Sequence, residues 1–326
     1  MRIFPLVFLL FFPLLAGAQC FSSPGNPIGG TLNTGATKKG LLRMNTFNRY
    51  SFTRNYYEGS KKTENMLYEK AHYDYVGLLL AAGITSRLTF ENEAGYFPFK
   101  TVYYNYPFSL YDDNKTGSGL SNWVTSFKYL IFAEDDKRFY LSASAGLKVP
   151  FSREFQSTNN VELPVDVQPS TGAYGGVFQL YVMKEYSFTG TRLFAVSRYE
   201  HNGENLKRYR FGDAFLQSLF YSRHLYLGNT PFPENWTVIM QVRFEWRDMN
   251  TVYLKTFPDN EWAKHTVTGT GGYAILVSPQ LNYTIKSKWN LSLSGELPAY
   301  QYLNQKQLGR GWAILLNVST DIQMWK

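Results

Sequence analysis

The chain has 326 residues, enough for one large or two ordinary domains, with a formal net charge of +8. Only 18% of residues are charged, while aromatics reach 17%. The mean hydropathy of −0.29 excludes a helical membrane protein, and no nucleic-acid motif turns the basic balance into more than a solvated surface.

The first residues read as an export signal. Arg2 precedes the short apolar run "IFPLVFLLFFPLL", and Ala16-Gly17-Ala18 supplies an A-x-A site, so residues 1–18 are expected to be a signal peptide cleaved before Gln19. A lipoprotein reading rests on Cys20, but Gln19 separates that cysteine from the small residue that should directly precede it. Cys20 is the only cysteine, which excludes an intrachain disulfide. Residues 19–40 are rich in Gly, Ser, Thr and Pro and read as a flexible or plug-like segment.

From residue 41 to 326 the pattern is one of strands. About twelve segments are predicted, at 41–53, 73–84, 87–97, 120–132, 138–149, 172–183, 191–201, 209–222, 236–247, 272–285, 289–299 and 311–325. Each has about the length, ~9–11 residues, that a tilted strand needs to cross hydrocarbon. In "WTVIMQVRFEW", Trp236, Val238, Met240, Val242, Phe244 and Trp246 share one face, and Thr237, Gln241, Arg243, Glu245 and Arg247 dominate the other. Segments 191–201 and 209–222 mix their faces, and Phe215, Leu216, Leu219 and Phe220 also fit a helical stripe. Pro279 is awkward within a strand because it removes a ladder hydrogen bond.

Short links ("TS", "AEDDKR", "KEYSFTG", "KSK") alternate with long polar ones at roughly 54–72, 98–119, 150–171 and 248–271, and the link at 223–235 departs from the scheme. Outer-membrane barrels show this asymmetry, with tight periplasmic turns and long external loops. The fold class expected is therefore all-β, an antiparallel up-and-down transmembrane barrel in the outer membrane of a Gram-negative bacterium. A soluble β-sandwich or solenoid shares the same strand periodicity.

Two stretches carry a more specific signal. "GLSNWVTSFKYLIF" (Gly119–Phe132) is followed after a tight turn by "LSASAGLKVPFS" (Leu141–Ser152). The pair resembles outer-membrane proteins of the phenol-degradation meta-pathway family, in which a Gly-x-(Ser/Asp)-rich strand ending in Lys-Tyr precedes a Gly-Leu-Lys-x-Pro strand. That family is similar in style to the long-chain fatty-acid transporters. The resemblance covers about thirty-five residues. It implies a transporter-like barrel, does not imply phenol as a substrate, and transfers no binding residue.

A lipid-modifying outer-membrane enzyme is a further class. Such enzymes place a Ser two residues after a strand His, and here Gly203 follows His201 at that spacing, so the nucleophile is missing. His72, His224 and His265 are isolated in sequence, and no metal-ligand spacing appears. "DDNKTGSG" (Asp112–Gly119) lacks the ligand spacing of a calcium loop and reads as a solvated external loop. No catalytic, metal or cofactor site is expected.

The polar faces point to the lumen. Glu91, Glu93, Lys128, Lys148, Arg243, Glu245, Arg247, Glu296 and Asp321 are expected to point inward, because an Arg or Lys at mid-depth in lipid costs ~2–4 kcal/mol. Mixed signs fit a polar pore lining that tunes which solutes pass, or an interior plugged by ion pairs in a structural or accessory barrel. The expectation is a monomeric passive transporter or channel for small solutes, with outer-membrane lipid as its surroundings.

Overall fold

A computed structural model describes residues 36–64, 67–106, 113–225, 235–255, 261–286 and 288–325. The expected signal peptide, Cys20 and most of the 19–40 segment lie outside the described residues, as does most of the 223–235 link.

Among the described residues twelve long strands form the wall: β1 Leu41–Thr53, β2 Tyr68–Gly83, β3 Leu88–Tyr104, β4 Asn122–Glu134, β5 Phe139–Pro150, β6 Gly175–Tyr186, β7 Thr191–Asn202, β8 Ala214–His224, β9 Trp236–Arg247, β10 Gly272–Ile285, β11 Trp289–Leu308 and β12 Trp312–Gln323. Each pairs antiparallel with its sequence neighbours, and β12 returns to β1 through a ladder from Leu41↔Gln323 to Phe52↔Trp312. Closure satisfies the backbone donors and acceptors that a sheet edge would leave bare in hydrocarbon.

Side chains alternate as the pleat requires. On β9, Val238, Met240 and Val242 are exposed, while Thr237, Ile239, Gln241, Arg243 and Glu245 are buried inside. The outer band continues with Leu78, Leu147, Leu180, Leu219, Leu293 and Ile314. Aromatics border it on both sides, with Trp123, Tyr199, Tyr300 and Trp312 near one rim and Tyr129, Tyr186, Tyr221 and Trp289 near the other. A two-sided aromatic border around an apolar band is the signature of a membrane-spanning barrel, and the chain is one of the outer-membrane type.

The second rim carries the short turns and the ends of β1 and β12, which makes it the periplasmic side. At the other rim the strands continue past the wall. β2 begins at Tyr68, β3 extends to Tyr104 and β11 to Leu308, beyond the boundaries expected from sequence. The long links are partly strand as well. Residues 114–120 pair with β3, Tyr56–Gly59 pairs with β11, and 250–255 pairs with 262–267. Of Asp112–Gly119, expected as a solvated external loop, Asp112 lies outside the described residues and Asn114–Gly119 belongs to a strand that pairs with β3. Its Gly and Ser alternation hid a strand that has no wide apolar face to bury.

Pro279 sits where it was awkward. It faces Met240 across the β9 ladder, but the β10–β11 ladder omits Ser278 and Pro279 and resumes at Gln280↔Ser294. The missing N–H thus coincides with a local break in one ladder only.

Candidate functional site: the barrel lumen

The lumen divides into three levels. At the extracellular end, the 151–174 link folds inward over the opening. Leu163 and Val167 are buried against Tyr68, Tyr73, Tyr75, Phe97 and Val102 from β2 and β3. Polar ties hold this cap in place. Asn122 Oδ1 accepts from Ser170 Oγ (3.0 Å), the Thr171 N–H (3.2 Å) and Thr171 Oγ1 (2.9 Å), and Lys100 Nζ donates to the Gln168 carbonyl at 3.1 Å. Glycine makes the aromatic packing possible: a Cβ on Gly95 would lie 2.1 Å from the Tyr75 hydroxyl, and one on Gly77 2.2 Å from the Phe47 ring.

The middle level is ionic. Lys128 pairs with Glu91 at 2.7 Å, and its Nζ lies 4.0 Å from the Tyr181 ring centroid. Arg198 joins Glu93 (2.9 Å) and Glu200 (2.7 Å), and Glu200 also meets Lys148 at 3.1 Å. The Arg198–Glu93 pair links β7 to β3, four strands apart around the wall, so it crosses the lumen. On the other side, Glu296 of β11 accepts from both Arg49 of β1 and Arg243 of β9. Arg243 continues to Glu245 at 2.9 Å, and Glu245 to Arg310 at 2.7 Å. Lys128 and Lys148 are 0% and 1% exposed, so these ammonium groups are enclosed by protein on all sides. Charges this deep persist only when paired and hydrogen-bonded.

Of the nine residues singled out from sequence, Glu91, Glu93, Lys128, Lys148, Arg243, Glu245 and Glu296 meet in this layer. Arg247 stands beside it on β9, and its Nε has no hydrogen-bond partner among the described residues. Asp321 lies apart, toward the periplasmic end, in a bidentate pair with Arg43 at 2.8 Å. Sequence reading missed Arg49, Arg198, Glu200 and Arg310. Arg49 lay on the inward alternation of 41–53, and Arg198 and Glu200 are two apart on a strand, so alternation alone could have found them. Arg310 lies in the turn before β12, where alternation gives no guide.

The third level is open. A cavity of about 630 Å³ faces the periplasmic side, lined by Arg43, Glu185, Arg192, Thr237, Asn282, Asn290, Ser319 and Asp321, with Met183, Phe194 and Ile239 on one wall. Here the mixed faces of 191–201 and 209–222 find their reason. Leu193, Leu219 and Tyr221 face lipid, whereas Phe194 and Phe220 face inward and stack at 4.3 Å between centroids. These two strands are apolar on both faces because one wall of the lumen is itself apolar.

His201, weighed as a hydrolase residue, places Nδ1 3.0 Å from Asp213 Oδ2 at the extracellular strand end. Its near partner is an acceptor and orienter, not a nucleophile.

Fold and lumen together define a closed outer-membrane β-barrel with a polar interior. Within that class the chain is similar to an outer membrane channel from Pseudomonas putida F1, at 13% identity over 90% of this chain and 99% of that one, with a TM-score of 0.66. More distant likenesses are the translocator domain of the autotransporter NalP from Neisseria meningitidis (10% identity, 88% and 90% covered, TM-score 0.45) and a TodX monoaromatic hydrocarbon channel variant (11%, 89% and 91%, TM-score 0.49). No protein-family model matches the chain, and no curated protein matches it in sequence.

Proposed function

We propose that the protein is a passive outer-membrane channel for small solutes rather than an enzyme. The observation that carries this reading is a barrel whose lumen holds a cavity of about 630 Å³ at one end, separated from the other end, among the described residues, by side chains and a loop. A loop can move on ns–μs timescales, and a barrier made of a loop and side chains can open without unfolding the wall. The fold shared with the Pseudomonas putida channel supports the same reading.

A second reading, a structural barrel with a plugged lumen, is favoured by the ion pairs that cross the interior. The double variant Arg243→Glu/Arg247→Glu separates the two. In a channel, wild-type protein in a planar bilayer gives single-channel current, and the variant shifts its selectivity toward cations, because charged rows set the local counter-ion concentration. In a plug, wild-type protein gives no current; the variant strands Glu245 and Glu296 and loses ~3–5 kcal/mol of stability under either reading, so the current decides. We expect the current and the selectivity shift.

A further inference from the structure

We propose that the periplasmic vestibule of the lumen is a binding site for a small amphipathic monoanion, an apolar or aromatic body carrying one carboxylate. The proposal rests on the channel reading and adds the class of solute.

Three observations converge on it. The first is the one-sided apolar wall. Met183, Phe194 and Phe220 stand in register on the adjacent strands β6, β7 and β8, and Ile239 of β9 lies beside them. The facing wall presents Asn282, Asn290 and Ser319 from β10, β11 and β12. The apolar side chains pack on one another, and the edges that Met183, Phe194 and Ile239 turn to the cavity give an apolar group a surface to rest on. The cavity of about 630 Å³ is in the size range of sites for small molecules.

The second observation is the sign of the charge. Among the charged side chains lining the vestibule, Lys38, Arg43 and Arg192 outnumber Glu185 and Asp321. Asp321 is engaged by Arg43 through both oxygens. Glu185 is shared by Arg192 at 3.2 Å and Arg138 at 3.5 Å, so this carboxylate leaves positive charge to spare. The third observation lies above the vestibule on the same strand. Arg247 makes no ion pair among the described residues; Arg49, Arg243 and Arg310 share Glu245 and Glu296, and Glu200, which also acts on Arg247, is itself held by Arg198 and Lys148. The interior therefore favours an anion along β9 from the ionic layer down to the vestibule. An apolar wall facing a polar wall, beneath a positive field, matches a body with one apolar side and one negative end.

The test is equilibrium dialysis of the folded full chain in detergent with 4-phenylbutyrate and with its uncharged amide. Saturable binding of the acid is expected, with the amide about tenfold weaker for loss of one charge-assisted contact. Lys38→Gln/Arg192→Gln should weaken the acid by about tenfold and leave the amide unchanged. Glu185 keeps Arg138 in that variant, so the wall is spared. Phe194→Ser/Ile239→Ser should weaken both probes alike. Equal binding of acid and amide, or no saturable binding by protein that keeps its heat-modifiable fold, overturns the proposal. Binding without bilayer current sinks the channel reading and leaves the site standing. Current without binding does the reverse.

Discussion

Glu296 holds two guanidinium groups from different strands, Arg49 and Arg243, and Arg49 Nε also donates to the Tyr73 hydroxyl at 3.0 Å. Replacing this carboxylate leaves Arg49 without its ion pair and Arg243 with Glu245 alone. Glu296→Gln should therefore destabilise the barrel by ~3–5 kcal/mol, read as a lower urea midpoint for refolding into lipid vesicles. Asp213, in the extracellular link before β8, is a different case. Burial acts against its ionised form, yet hydrogen bonds from the Asn202 N–H, His201 and Tyr199, with Arg210 beside it, hold its pKa below the ordinary 3.8. A depressed carboxylate contributes stability that is fully present above that ordinary value and is lost as the pH falls through the folded value. Asp213→Asn should remove this contribution, on the order of 1 kcal/mol after solvent screening, at neutral pH. The variant should lose less than the wild type on acidification, as amide hydrogen exchange in 199–213 would record.

Among the elements, β9 tests the assignment of faces. Val242 is exposed on the lipid side and pairs across with Leu219, whereas Gln241 is buried inside, where its Nε2 donates to Ser218 Oγ at 3.1 Å. Val242→Arg should cost ~2–4 kcal/mol in bilayer insertion. Gln241→Arg, one residue away, should cost far less, because that position faces the polar lumen rather than lipid. Equal losses in both variants would contradict the register. Strands of this kind were legible in the sequence because lipid and lumen demand opposite chemistry, so alternation survives along the whole segment. Legibility failed where that contrast is absent. Above the membrane both faces of β3 and β11 meet water or loop, nothing enforces alternation, and the ends at Tyr104 and Leu308 were missed. On β7 and β8 the lumen wall is apolar, and the same lack of contrast made two good strands look ambiguous.

At the scale of the whole molecule, seven charges of the ionic layer were legible in the sequence, but their partners were not. Arg198–Glu93 and Arg49–Glu296 join residues 105 and 247 positions apart, and only the circular order of strands brings them together. That order has one further seam. Every neighbouring pair of wall strands is adjacent in sequence except β12 and β1, where Arg43 meets Asp321 across a separation of 278 residues. Contacts of such separation carry the largest loop-closure entropy and form late. Hairpins can accumulate one by one, but the ring has two bare edges until Leu41 through Phe52 meets Trp312 through Gln323. Assembly is thus paced by its final zippering step. Through that step an unfinished sheet must be kept from pairing with other chains.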